Sequence, residues 1–355
     1  MQTPQLRHWI LLAYLVLAWG WAFYLIAIAL DAFQPVTIVW GRLTLGAVVM
    51  IAVLWWQGGT MPRGWLWWRR LLFLSVTGNI LPFILIAWAE RSVPSGEVGL
   101  LMALMPITIL ILGHYFLEHE RLTALRVIGV LLGFAGVALL VGEYMFFSDG
   151  GARLTGQVAA VIATFCYAIN GIYTKRLPAF DTVAVSAASL LTGSVLLALP
   201  MWNLQPWPGV EQLAAPWVAL LVLGIFSTGA ATWVYFTIVS EVGPGFLSTI
   251  NYLIPALAFF VGVTLLDEPA GVAQLAALAL ILAGVWLIQP RRSVTVTESV
   301  GEESEPPRRH HGANDIACDS FYIIVSITWG VSFVSHFEHT QIVLAIAEGH
   351  DILEA

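Results

Sequence analysis

The chain consists of long apolar runs separated by short polar connections. A helix needs about 20 predominantly apolar residues to cross the hydrocarbon core of a bilayer. Ten runs of roughly this length, each bounded by Pro, Gly or charged residues, lie between residues 9 and 289. The pattern predicts ten transmembrane helices, at residues 9–30, 35–56, 68–89, 96–117, 123–142, 155–173, 182–202, 215–239, 244–266 and 271–289.

The basic residues predict how these spans are oriented, because cytoplasmic loops carry an excess of Lys and Arg. If the N-terminus is cytoplasmic, ten basic residues fall on the inside and only Arg91 and Arg153 on the outside. The inside residues are Arg7, Arg63, Arg69, Arg70, Arg121, Arg126, Lys175, Arg176, Arg291 and Arg292. We therefore expect a multi-pass protein of the cytoplasmic (inner) membrane with both termini in the cytoplasm.

The two halves of the chain carry matching motifs. Pro106 and Glu120 correspond to Pro255 and Glu268, at offsets of 149 and 148 residues. Because each copy holds an odd number of spans, the second copy must cross the membrane in the opposite direction, as in many secondary transporters. The predicted fold is all-α, with a 5+5 inverted-topology repeat. The expected divisions are a first repeat at 1–143, an outside loop at 144–154, a second repeat at 155–292 and a tail at 293–355.

Several short motifs follow one another in a fixed order along the spans. They are Trp19-Gly20-Trp21-Ala22-Phe23, Gly41-Arg42-Leu43, the segment from Leu81-Pro82-Phe83 to Trp88-Ala89-Glu90, and two modules that run from Met105-Pro106 to Glu120-Arg121 and from Ile254-Pro255 to Glu268-Pro269. In this order the chain resembles the drug/metabolite transporter superfamily, and within it the EamA-domain family, whose members carry two EamA repeats in ten helices. The resemblance covers residues 9 to 290. It implies a small-molecule transporter, often an exporter of amino acids or related metabolites.

Composition supports a membrane protein and locates the net charge. Apolar residues make up 59% of the chain and charged residues 10%, against about 25% charged in soluble domains. This excludes ordinary soluble, disordered and nucleic-acid-binding proteins. The net charge of −7 arises from 13 basic and 12 acidic residues up to residue 292 and from 2 basic and 10 acidic residues after it. The acidity therefore belongs to residues 293–355, which we expect to form a disordered cytoplasmic tail, and it does not indicate a cationic substrate.

Three predicted spans contain a proline well inside their ends, and a proline there removes a backbone hydrogen bond to the carbonyl four residues earlier. The prolines are Pro82, Pro106 and Pro255, and the freed carbonyls belong to Gly78, Met102 and Asn251. Asn79 lies beside the first of these carbonyls. Polar groups at membrane depth mark a lined cavity or a buried contact. We expect broken helices around one central cavity; the alternative is that the prolines shape packing and each Asn bonds a neighbouring helix.

Aromatic residues and one deep arginine complete the predicted substrate site. The aromatic residues are Trp19, Phe83, Trp88, Tyr167, Tyr235 and Tyr252, which could instead anchor helices at the membrane interface. Arg42 lies about eight residues inside the second span and could attract a substrate carboxylate, or pair with Asp31 or Glu97. Glu97 follows Ser95, so helix capping and the helix dipole explain it, with proton coupling as the alternative.

The chemistry predicted from the motifs is transport without catalysis. The sequence contains no P-loop, no Gly-x-Ser-x-Gly and no His-Glu-x-x-His pattern, so we predict a secondary transporter with no cofactor and no bound metal. A channel or sensor, and a membrane-embedded enzyme, are the alternatives. The expected partners are a small-molecule solute and the lipid bilayer, with no nucleic acid.

Small residues in the fifth and tenth spans predict close helix packing. They are Gly129, Gly133 and Gly136, mirrored by Ala276, Ala283 and Gly284. The sequence leaves open whether this seam forms within one chain or in a homodimer.

Overall fold

The computed structural model describes residues 4–117, 123–145, 151–204 and 214–289. Eight of its helical segments are long and apolar enough to cross a membrane, and two shorter apolar helices complete the series. No strand occurs among these residues. The protein is therefore a polytopic helical membrane protein. The tail at 293–355 and the Glu120 motif lie outside the described residues.

The ten segments follow the order of the predicted spans and are numbered in that order. The first is Leu6–Gly20 with Ala22–Leu30, the second Pro35–Trp56, the third Trp65–Ser75, Val76–Ile80 and Leu81–Ala89, and the fourth Ser95–Met102 with Met105–Phe116. The fifth is Ala124–Met145, the sixth Gly151–Lys175, the seventh Thr182–Leu204, and the eighth Ala214–Val222, Leu223–Ala230 and Ala231–Glu241. The ninth is Pro244–Leu247 with Ile250–Leu265, and the tenth is Val272–Ile288.

The third and eighth spans each contain a π-helical segment, Val76–Ile80 and Leu223–Ala230. Their first residues are 147 positions apart, close to the offsets that relate the motifs of the two halves. In the third span the backbone N–H of Leu81 donates to the carbonyl of Val76, five residues earlier. The wider turn immediately precedes Pro82, which itself has no N–H to donate. The eighth span has the same irregularity, but no proline directly follows its π-helical segment.

The prolines of the fourth and ninth spans have different consequences. The fourth span is interrupted between Met102 and Met105, immediately before Pro106. The ninth span is interrupted between Leu247 and Ile250, whereas the helix Ile250–Leu265 continues through Pro255. A proline inside a helix removes one hydrogen bond, and the rest of the helix can hold the turn together.

The fifth and tenth spans pack backbone against backbone within one chain. A Cβ atom added to Gly284 would lie 2.5 Å from the carbonyl oxygen of Gly129, and one added to Gly136 would lie 2.9 Å from that of Ala277. Only glycine permits such an approach. The small-residue seam is therefore an intramolecular contact.

Candidate functional site

Arg42 is a buried cation between three spans. Its side chain is 7% exposed, and its guanidinium carbon lies 3.9 Å from the centre of the Phe83 ring in the third span. Its Nε donates a hydrogen bond of 2.6 Å to Oγ1 of Thr228 in the eighth span. Among the described residues, Thr228 is the one side chain that accepts a hydrogen bond from Arg42, so two of the guanidinium nitrogens have no such partner here.

Thr228 connects Arg42 to the π-helical segment of the eighth span. The same hydroxyl that accepts from Arg42 donates to the carbonyl of Leu223, five residues earlier, at 2.8 Å. Thr228 was not among the site residues predicted from the sequence. Its signal was available, because Ser227-Thr228-Gly229 is a short polar run in the middle of an apolar span.

Glu97 takes part in a contact separate from Arg42. One of its oxygens accepts from Arg153 and the other from Nε2 of Gln157, at 2.6 Å. The side chain of Glu97 is 3% exposed and that of Arg153 is 20% exposed. The pairing of Arg42 with Asp31 or Glu97, considered from the sequence, does not occur among the described residues. A role of Glu97 in coupling stays a prediction.

The helix that begins at Ser95 is capped from the other half of the chain. Glu268 accepts from the backbone N–H and hydroxyl of Ser95, at 2.6 and 2.7 Å, and from the backbone N–H of Gly96, at 2.8 Å. A carboxylate at a helix N-terminus satisfies unpaired N–H groups and is favoured by the helix dipole. The N-cap position itself is Pro94, so Ser95 does not cap the helix as expected; it is its first residue.

The predicted aromatic residues do not all meet at one place. Trp88, Tyr167 and Tyr252, together with Met102, pack against one cluster of buried apolar side chains, which includes Leu104. The Tyr252 hydroxyl is buried and has no hydrogen-bond partner.

Trp19 and Tyr235 lie in a different part of the core. They pack against a second cluster of buried apolar side chains, and their ring centres are 5.8 Å apart. They therefore form a pair with each other and are not part of the surroundings of Tyr252.

The two predicted asparagines, Asn79 and Asn251, differ in their hydrogen bonds. Asn79 donates to the hydroxyl of Ser189 in the seventh span, at 3.0 Å. Asn251 makes no side-chain hydrogen bond with another described residue and is half-buried. The geometry of Asn79 matches the alternative in which an Asn bonds a neighbouring helix.

Each π-helical segment receives side-chain hydrogen bonds from the opposite half of the chain. Asn170 in the sixth span donates to the carbonyl of Leu74 and to the hydroxyl of Thr77, both at 3.0 Å. Trp19 in the first span donates through Nε1 to the carbonyl of Ser227, at 3.0 Å. The first helix of each half thus contacts the irregular third helix of the other. The sequence did not predict this contact between the halves, because no residue pattern is specific for a π-helical turn.

Glu90 is a further residue of the site, which the sequence indicated only as the end of the motif that begins at Leu81. It lies one residue beyond the helix Leu81–Ala89. Both of its carboxylate oxygens are buried and have no hydrogen-bond partner. Burial raises the pKa of this carboxyl well above its usual range, the Glu268 carboxylate raises it further, and Arg42 lowers it. Glu90 therefore lies within electrostatic range of both groups.

A family model agrees with the division into two similar halves. The model of the EamA-like transporter family matches residues 7–142 and again residues 154–289. The chain belongs to the EamA-like transporter family. It is therefore a membrane transporter and not an enzyme. The contacts of Arg42 with Thr228 and of Glu268 with Ser95 and Gly96 join its two EamA repeats.

Relatives of this transporter carry related descriptions. One, from Streptantibioticus cattleyicolor, is 28% identical over 78% of this chain and 91% of its own length and is named "Probable terminal-alkyne amino-acid exporter". Another, from Archaeoglobus fulgidus, is 26% identical over 81% of this chain and 100% of its own length and is named "Uncharacterized transporter". A crystal structure of a chain 22% identical to this one covers 80% of this chain and 96% of the other, with a TM-score of 0.58. The last comparison concerns the fold alone.

Proposed function

We propose that this transporter moves a small organic solute, an amino acid or a related metabolite, across the cytoplasmic membrane by secondary transport. The observation that carries the proposal is Arg42, a buried cation that bonds Thr228 and stacks on Phe83 while no described carboxylate binds it. Charged groups inside a membrane are costly and mark substrate or ion sites. The guanidinium is well suited to bind the carboxylate of a solute.

We infer that the solute binds between the two repeats. The Arg42–Thr228 hydrogen bond joins the second span to the eighth, so a solute bound at Arg42 meets both repeats. The proposed lining comprises Trp19, Arg42, Asn79, Phe83, Trp88, Met102, Tyr167, Tyr235, Asn251 and Tyr252, with Pro82, Pro106 and Pro255 shaping the cavity and Glu97 as a candidate for coupling. Arg42, Phe83 and Tyr167 are the members with the strongest support, from contact or electrostatic range.

The proposed mechanism is alternating access between inverted repeats. The charge count of the loops favours cytoplasmic termini and opposite orientations of the repeats. The π-helical segments at matching places, Val76–Ile80 and Leu223–Ala230, support the same relation. In this proposal the repeats rock about the Arg42–Thr228 contact, and the helices break or bend at their irregular turns. The name of the Streptantibioticus relative supports export as the direction.

The decisive experiment is counterflow in vesicles that contain the purified protein. Vesicles loaded with an unlabelled amino acid should accumulate the labelled one transiently and with saturation. Flux that rises linearly with concentration would support a channel instead. Complete absence of flux across the twenty standard amino acids and their common derivatives, with a folded protein, would contradict the proposal and favour a sensor or an enzyme.

A further inference from the structure

Glu90 is a carboxylate buried without a partner. Neither of its oxygens contacts a hydrogen-bond donor, and neither is accessible to solvent. Buried carboxylates in proteins are normally paired with a cation or with donors, because their dehydration is otherwise uncompensated. The side chains of the protein leave this carboxylate unsatisfied, and such a group requires an explanation. A ligand that supplies the missing donors provides one.

Arg42 is the complementary group. It has two guanidinium nitrogens for which no described residue is an acceptor. Arg42 and Glu90 lie within electrostatic range of each other. Arg42 is nevertheless not a hydrogen-bond partner of Glu90. Two opposite charges that lie within electrostatic range without pairing are suited to a molecule that carries both charges in the complementary order. Such a molecule reaches Glu90 only when the surrounding helices move apart, because the carboxylate oxygens are inaccessible in this structure.

The side chains around these charges are apolar and aromatic. Phe83 lies against Arg42, and Trp88, two residues before Glu90, packs against the same apolar cluster as Tyr167. The Tyr252 hydroxyl, which borders that cluster, is also buried without a partner. Such surroundings suit a solute with an apolar portion beside its charged groups.

We propose that Glu90 binds the ammonium group of the transported solute while Arg42 binds its carboxylate. The substrate class is then a zwitterionic α-amino acid, and a solute with only one of the two charges is rejected. This inference rests on the proposed function, since it assigns a substrate group to the same site. The neighbouring carboxylate, Glu268, is occupied by Ser95 and Gly96 and leaves the ammonium group to Glu90.

The test uses the full chain in vesicles and three matched probes. Wild-type protein is first screened by counterflow with labelled standard amino acids, and an accepted one is compared with its N-acetyl derivative, which lacks the cation, and with its amide, which lacks the anion. We expect both derivatives to compete at least tenfold more weakly than the amino acid. In Glu90→Gln, we expect KM for the amino acid to rise at least tenfold while competition by the N-acetyl derivative is unchanged or stronger.

Two controls separate binding from folding. Glu241→Gln removes a carboxylate that Arg7 and His8 already hold and should leave the selectivity unchanged. Glu90→Gln should keep the melting temperature of the wild type, because no hydrogen bond is lost. A fall in melting temperature that accounts for the lost transport would assign Glu90 to folding and overturn the inference.

The outcomes distinguish this inference from the proposed function. If Glu90→Gln transports the amino acid with unchanged KM and unchanged selectivity, Glu90 is not the ammonium site although transport stands. If wild-type protein accepts the derivatives as well as the amino acid, the zwitterionic class is wrong and transport again stands. If wild-type protein transports no amino acid at all, the proposed function and this inference fail together.

Discussion

Glu268 accepts a hydrogen bond of 2.6 Å from the backbone N–H of Ser95, 173 residues away in the chain. The same carboxylate also binds the Ser95 hydroxyl and the N–H of Gly96. It thus fastens the second repeat to the start of the fourth span, close to Glu90. Under the proposed mechanism this contact has to open before Glu90 can meet a solute from that side of the membrane.

Replacing Glu268 should therefore open that end of the protein. In a background with Cys166→Ser and Cys318→Ser, a cysteine introduced at the fully buried Val98 reports the opening through its rate of maleimide labelling. We expect Glu268→Ala to accelerate labelling roughly tenfold, since hydrogen bonds to charged groups contribute about 1.5–3 kcal/mol. Asp31→Ala, which removes an exposed carboxylate, is the control. Equal labelling rates in the two variants would show that the contact does not close this end.

Arg42 should matter for transport more than for stability. We expect Arg42→Gln to lower kcat/KM for an accepted amino acid at least tenfold while the protein elutes as a folded species. Thr228→Val keeps the guanidinium and removes its acceptor, so a smaller loss through misplacement of the charge is expected. Should Arg42→Gln fail to fold whereas Thr228→Val transports normally, Arg42 would be a structural group and not a substrate ligand.

Glu97 and Arg153 should behave as a buried ion pair. Removing one partner leaves the other charge buried without a counter-ion, which lowers the free energy of unfolding by about 3 kcal/mol when burial is nearly complete. We expect Glu97→Gln and Arg153→Gln each to lower the melting temperature. The double variant should lose less stability than the two single variants lose together. Arg7→Gln tests the pair Arg7–Glu241, whose side chains are 62% and 26% exposed, and should change stability by about 1 kcal/mol or less. An additive cycle for Glu97 and Arg153 would contradict the expectation.

The glycine seam should tolerate no added methyl group. We expect Gly284→Ala to lower the melting temperature markedly, because its Cβ would lie 2.5 Å from the Gly129 carbonyl oxygen. Gly142→Ala is the matched control, since nothing lies within 4 Å of a Cβ at that position. Alanine there should raise stability by about 0.5–1 kcal/mol through its better helix propensity. A stable Gly284→Ala variant would mean that the fifth and tenth spans separate more easily than their packing indicates.

The π-helical turn of the third span should depend on Asn170. We expect Asn170→Ala to accelerate amide hydrogen exchange in residues 76–80 by about tenfold, because two hydrogen bonds to that region are lost, each contributing about 1 kcal/mol. Asn251→Ala is the control, as that side chain bonds no other described residue. Unchanged exchange in Asn170→Ala would show that packing alone holds the turn.

Much of the architecture follows from the order of residues along the chain. The apolar runs give the number and order of the spans, because the thickness of a bilayer fixes how many residues a helix needs. Proline has a strong local effect and indicated the interruption before Pro106. Local chemistry does not decide whether a helix continues through a proline, and the ninth span does so at Pro255.

The sequence by itself determined the membrane class, the two repeats and the unusual position of Arg42, since each is expressed in residue type and spacing. Tertiary structure alone decided which groups meet. Arg42 bonds Thr228 and not an acidic residue, Glu268 and not Ser95 caps the fourth span, and the glycine seam closes within one chain. These contacts join residues far apart in the chain, and their energies depend on distance and burial, which no local pattern records. For the same reason the unpaired state of Glu90 became visible only when its surroundings were in place.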